Sequence, residues 1–443
     1  MNKDITFDQL KVFKEKYRSK PNNKLMESII TTNGIINVAR NKDAINRNKN
    51  VFSIELPRVK ISDQEKSRRC WAFAGLNLLK RQVAQSLNID IETFELSQNY
   101  IVFYDKLEKA NNFYESIIKF REKELLDREM LVVLDWALYE GGHWQYFTEL
   151  VKKYGVVPKA AMPETKDSKD SAVLTEILNT KVARDAIKLK RMLKELQDLE
   201  RIREEKNKML EQVYNILCKV LGEPPEKFEF EFYDKNNSYK RIDFVTPLDF
   251  YAQNVKIKID DYIVVANVPM HNKQYNKIYK EREYIADIIE KSNHYFFNIE
   301  LNEMKELVVK TLKDGEPVYF DTHFHKNNDA ELEIFDAELY QFDKVLEVDL
   351  EMSKEELLDY REIRLQHMML FTGVHIVDDK ILRWKVENSF GSQKRNEGYY
   401  VMNDNFFNKY VLECVINKKY FTEEQLKFIE KEPIMFEPWE PMS

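Results

Sequence analysis

One cysteine stands at a join in the chain. In "SDQEKSRRCWAFAGLNLLKRQ", Ser62 to Gln82, Cys70 separates a charged segment from an apolar, helix-patterned one. A cysteine serving only as core filling belongs inside the apolar run, not at its start. The first turn of a helix has unpaired backbone N–H groups and a partial positive charge. Both favour a thiolate, and the expectation is a lowered thiol pKa at Cys70. A thiolate attacks carbonyl carbon, and the same N–H groups can receive the oxyanion that forms. Gln64, six residues earlier in a loop, can add a neutral amide donor to that hole. A nucleophilic cysteine also needs a base and a group to orient it. "LQHMMLFTGVHIV" puts His367 at the start of an apolar strand, and "WKVENSFG" puts Asn388 at the end of another. Two neighbouring antiparallel strands of these lengths can bring those ends together. A neutral hydrogen bond from Asn388 then fixes the imidazole's tautomer and ring plane.

The elements that must position these residues fall into two halves. Residues 1–60 read as a helical opening, a polar Asn/Lys loop and the short strand "VFSIEL". "CWAFAGLNLLKRQVAQSL" carries apolar residues at helical spacing, and a second helix starts after Ser97, a suitable N-cap. Between Glu164 and Leu221 there is no Gly or Pro, and the charge alternates along a helical pattern. This segment reads as a helical insertion with one wet face. After "GEPPEK" the period changes. "FEFEFYDKNNSYKRIDFV" reads as a hairpin, and further strands continue through "ILRWKVENSF". The tail "EKEPIMFEPWEPMS" has three prolines and no periodicity, which predicts an extended arm lying on another part of the molecule. The fold class expected is α+β, with a cleft between the halves.

The composition narrows the function. The chain has 443 residues, 43% of them hydrophobic, enough for a large core. Its formal charge of -7 argues against a nucleic-acid footprint. The basic stretch Lys11–Asn50 reads as a solvated face, with a partner surface as the alternative. Three widely spaced cysteines give neither a disulfide framework nor a zinc spacing. "MNKDITFDQLKVFKEKYRSK" lacks the apolar run of a secretory leader. No segment approaches the roughly 18 apolar residues of a membrane span. The expectation is a reducing compartment, which suits a free thiol.

Other candidates are weighed against plainer readings. Cys218 and Cys414 have no partner set and read as structural. His375 falls on the same face as His367 under strict strand alternation, but His367 begins the strand. Asp321, His323 and His325 in "DTHFH" would share a strand face and offer zinc ligands; ordinary strand residues beside a cleft is the preferred reading. His143, after two glycines, reads as a surface histidine.

Gln64-(five residues)-Cys70-Trp71-Ala72-Phe73-Ala74 resembles the active-site segment of papain-like cysteine peptidases. With "FELSQNYIVFYDKLEKANNF", "EGGHW", "KKYGVVPK", "DGEPVYF", "ENSFG" and "EPWEPM", it resembles the bleomycin hydrolase/aminopeptidase C family from about residue 5 to the end. The resemblance implies a papain-like two-lobed fold. Cys70 would be the nucleophile, His367 the base and then the acid, Asn388 the orienter and Gln64 the oxyanion donor. Gly141 and Gly142 would lie beside the substrate backbone, and the carboxylate of Ser443 would hold the substrate's free amine. It also implies a cytoplasmic homohexamer acting on peptides, with no metal or organic cofactor, no membrane and no nucleic acid. Arg68 stands where the family has Gly, and Phe390 where it has Trp. The chain ends at "PWEPMS", a few residues before the usual family ending, which leaves an oligopeptide endopeptidase as the alternative to an aminopeptidase. A catalytically silent binding or structural hexamer is the second alternative.

The expected division of the chain is then as follows. Residues 1–60 form an N-terminal oligomerisation segment and 61–120 the helical lobe with the nucleophile. Residues 121–225 form a helical insertion including the Gly-Gly loop, and 226–315 a β-rich, hook-like insertion. The β lobe with His367 and Asn388 spans 316–430, and the arm into the cleft 431–443.

Overall fold

The computed structural model describes residues 3–442, apart from 197, 283–287, 290–293 and 394. Helix Cys70–Ser86 is buried on nearly every side, as its apolar composition requires of a core helix. Helix Gln98–Lys119 starts at Ser97, whose side chain accepts from Tyr100 N at 3.1 Å, the N-cap read from sequence. Helix Trp144–Tyr154 packs against both. The segment without Gly or Pro folds as two long helices, Ala172–Glu195 and Leu199–Leu221, lying on Gln98–Lys119. Leu174, Leu178, Val182 and Leu189 line the buried face of the first. These helices make up one lobe.

The other lobe is built on a 12-stranded sheet. Its central strands run in the order Tyr262–Ala266, Val411–Asn417, Val318–Thr322, His367–Val377, Lys380–Glu387 and Tyr399–Asn403. Each of these neighbouring pairs is antiparallel. Register is set by apolar side chains that are buried on these strands. Phe228–Tyr233 and Tyr239–Val245 form the separate hairpin expected from their alternation. The short strand Ile54–Glu55 pairs with Gly373 and Val374. A Cβ on Gly373 would stand 2.7 Å from Ile54 O, so this approach requires glycine.

Two segments behave differently from the core. Helices Phe7–Ser19 and Pro21–Asn33 bury no residue, and Phe7, Leu10, Phe13 and Leu25 are exposed on them. The Asn/Lys stretch expected as loop contains a short helix, Lys42–Arg47, capped by Asn41; an N-cap side chain in that polar run was enough to start a turn. The C-terminal tail is a strand only over Ile434–Phe436 and turns beyond it. Ile434–Phe436 adds to the sheet edge in parallel with Lys277–Glu281. Beyond it Arg361 donates to Trp439 O at 2.6 Å, Arg128 lies over the Trp439 ring, and Lys273 pairs with Glu440. Met442 is fully buried.

Candidate active site

Cys70 is the first residue of its helix. Arg69 precedes it as N-cap but offers no side-chain cap bond, which leaves the first-turn N–H groups free of a side-chain acceptor. Across the cleft, Cys70 Sγ lies 3.7 Å from Met368 Sδ, and Met368 follows His367 in strand His367–Val377. The antiparallel register pairs Leu370 with Glu387, which carries His367 alongside Asn388. His367 Nε2 and Asn388 Oδ1 are 2.8 Å apart. With Nε2 donating, Nδ1 is the lone-pair nitrogen. Phe390 stacks on the imidazole at 5.2 Å and Phe324 meets it edge-on at 4.5 Å, keeping water from the His–Asn bond. Cys70, His367 and Asn388 are all buried.

Gln64 is oriented by Ser389. Its N–H donates to Ser389 O at 2.8 Å, and its Oε1 accepts from Ser389 Oγ at 3.0 Å. Because Oε1 is engaged there, Nε2 is the end of the amide available as a donor. Gly142 packs on the Trp71 indole, where a Cβ would stand 2.8 Å from the ring. Gly141 has φ 153°, and its carbonyl accepts from Lys109 Nζ at 2.6 Å. Arg68 adopts a left-handed φ of 51°, the conformation a glycine would hold without strain. Its side chain is 80% exposed and 3.9 Å from Glu140, so it adds no buried cation to the sulfur. Arg69 is buried but turned to Glu164, at 3.2 and 2.9 Å.

The electrostatics correct one expectation. Burial pushes the Cys70 thiol up to about 12, and Asp321 adds to this; backbone groups of Met368, Trp71 and Cys70 pull the other way. Burial also drives His367 down to about 4, against the Asn388 bond. Burial therefore works against the charged form of both groups. Helix-end stabilisation of the thiolate is outweighed by desolvation in a closed cleft.

Other expectations are corrected as well. The "DTHFH" residues do not continue one strand. The strand ends at Thr322, His323 Nδ1 accepts from Arg364 N at 3.3 Å, and His325 is exposed. His375 loses the face of His367, because the strand is irregular between Phe371 and Gly373. His143 is not a surface group: its ring stacks on His294 at 4.2 Å and 7°. Ser443 lies outside the described residues. Cys414 is buried and Cys218 half-buried, both free.

Sequence reasoning missed a row of polar side chains beside the sulfur. Met368 pairs with Asp321, and Asp321 with Glu413, across three adjacent strands. Glu413 Oε1 is 2.8 Å from His294 Nε2. His143, His294 and Glu413 bring their ligating atoms within 4.8 Å of one another, with burial lowering both imidazole pKa values. The signal available was the Glu in "VLECVIN", a charge at a sheet-core position.

Similar proteins share this whole plan. The aminopeptidase C of Listeria innocua is 37% identical over 442 residues, covering 100% of this chain and 99% of its own length. The aminopeptidase W of Lactobacillus delbrueckii subsp. lactis is 32% identical, with both chains covered completely. The crystal structure of PepW from Lactobacillus rhamnosis HN001 superposes with a TM-score of 0.96 at 36% identity, over 100% of this chain and 99% of that one. The model of the Peptidase C1-like family matches residues 4–443, and the chain, with its cysteine-bearing helix facing a histidine–asparagine strand pair, belongs to that family.

Proposed function

We propose that this protein is a cysteine aminopeptidase that cleaves peptides from their free amino end. The observation that carries the reading is the 2.8 Å His367–Asn388 bond set beside Met368, which touches Cys70 Sγ. Cys70 Sγ attacks the scissile carbonyl while its proton passes to His367 Nδ1. The oxyanion is received by N–H groups of the helix start and by Gln64 Nε2. Collapse breaks the C–N bond, and His367 returns the proton to the departing amine. Water then attacks the thioester with His367 as base, releasing the acid and restoring the thiol. Phe390 and Phe324 shield the imidazole, and Gly141 and Gly142 leave room for the substrate backbone. No metal or organic cofactor enters these steps.

Aminopeptidase rather than endopeptidase action is supported by the names of the similar proteins and by the arm, whose Met442 is buried and whose backbone acts on the His294 ring. We also propose a homohexamer working in the cytoplasm. The exposed apolar residues of helices Phe7–Ser19 and Pro21–Asn33, which none of the described residues covers, support the assembly. One equivalent of iodoacetamide is expected to label Cys70 and abolish hydrolysis of an amino-acid amide, and Cys70→Ala is expected to be inactive but folded. Turnover by Cys70→Ala would refute the assignment. Faster cleavage of an N-acetylated peptide than of its free-amine counterpart would refute the exopeptidase mode.

A further inference from the structure

Asp321 is an unusual neighbour for a nucleophile. Its side chain lies on the sheet face of Met368, its direct cross-strand partner, and Met368 touches Cys70 Sγ. Oδ1 is pinned, accepting from Gln366 N and His367 N, each at 3.1 Å. Oδ2 is buried without a hydrogen-bond partner, and the residue is 2% exposed. Behind it stands Glu413, 6% exposed, its Oε1 taken by His294. The Tyr319 hydroxyl on the same strand is also buried and unpartnered. Leaving such a carboxylate oxygen unpaired is unfavourable, more so if it is charged. A fixed, open oxygen beside the reacting sulfur is the form of a receptor whose occupant arrives with the substrate.

We propose that Asp321, backed by Glu413, receives a primary ammonium group of the bound peptide on the acyl side of the scissile bond. The chemistry fits no other common peptide group as well. A peptide N–H would satisfy one lone pair but would do little to favour the ionised form of the carboxyl. An ammonium supplies both a donor and the charge. Burial and the adjacent Glu413 carboxyl push Asp321 up to about 8, and a bound ammonium would draw it back down. The far end of the row is closed by His294, His143 and the arm at Met442. The near end borders Cys70. This inference rests on the peptidase reading and adds a specificity-determining residue to it. Two sources offer a primary ammonium there: the peptide's own α-amine and a lysine side chain.

The test uses the full chain and four small probes that protect Cys70 from iodoacetamide: leucinamide, N-acetyl-leucinamide, lysinamide and Nε-acetyl-lysinamide. Asp321→Asn keeps Oδ1 as acceptor for the two N–H groups and turns the open oxygen into a donor. In the native protein leucinamide is expected to protect at least tenfold better than its acetylated form, and Asp321→Asn should erase that difference. The alkylation rate without probe reports an intact nucleophile in both proteins. Lysinamide protecting better than its Nε-acetyl form, with that gap lost in Asp321→Asn, would assign the site to the side chain instead. Glu413→Gln, a second variant, should weaken amine protection without affecting acetylated probes. Equal protection by amine and acetylated probes in the native protein, or discrimination unchanged in folded Asp321→Asn, overturns the inference. Absence of Cys70 labelling in the native protein would instead overturn the peptidase reading itself.

Discussion

At the residue scale the decisive quantity is where one proton rests. Burial raises the Cys70 thiol to about 12 and lowers His367 to about 4, so desolvation opposes an ion pair between them. A preformed ion pair would be alkylated at a rate nearly flat with pH. Here iodoacetamide labelling is expected to rise by about tenfold per pH unit between 6 and 9, following the thiolate fraction; a flat profile would show an ion pair. Asn388→Ala should lower kcat by about ten- to a hundredfold with little change in KM, since it removes the orienter of a base worth roughly 10²–10⁴-fold. Steady-state kinetics on an amino-acid amide separates the two constants. Cys70, His367 and Asn388 could be singled out because each sits where a strand or helix begins or ends, and Gln64 because it lies in the loop before the cysteine helix. The protonation state was not, because it depends on how tightly two distant segments close around the sulfur. Asp321 was noticed in sequence for the wrong neighbours: strand alternation suggested His323 and His325, while its true companions come from other strands.

At the scale of elements, the Gly-Gly turn ties the two kinds of structure together. Gly142 is pressed on Trp71, the residue after the nucleophile. Gly142→Ala must displace that indole and with it the first turn of the helix. It is expected to destabilise the protein by about 1–3 kcal/mol and to reduce hydrolysis more than a surface change would. Urea denaturation and activity measured on the same preparation check both. Helix Cys70–Ser86, the helical pair over residues 172–221 and the hairpin over 228–245 were readable from period and capping. The short helix Lys42–Arg47 was not, because its start depends on the Asn41 cap rather than on apolar spacing. The irregularity in strand His367–Val377 was hidden too. A bulge adds one residue without changing composition, yet it decides which histidine faces the cleft.

At the scale of the whole molecule, the arm and the N-terminal helices reach beyond the lobes. Removing residues 437–443 should uncover the acyl side of the cleft and raise cleavage of N-acetylated peptides relative to free-amine ones, read with a paired fluorogenic set. Removing residues 1–33 should lower the mass measured by light scattering, since those helices present apolar residues that none of the described residues covers. The two-lobed plan was legible because helical and strand periods occupy separate stretches of sequence. The width of the sheet was not, since its edge strands are short and depend on partners far along the chain. That separation has a further consequence during synthesis. Cys70 and Met368, which meet in the cleft, are 298 positions apart. A ribosome adding about 5–20 residues per second makes the sulfur roughly 15–60 seconds before the imidazole exists. The nascent chain therefore carries the thiol without its imidazole partner until position 367 has been added.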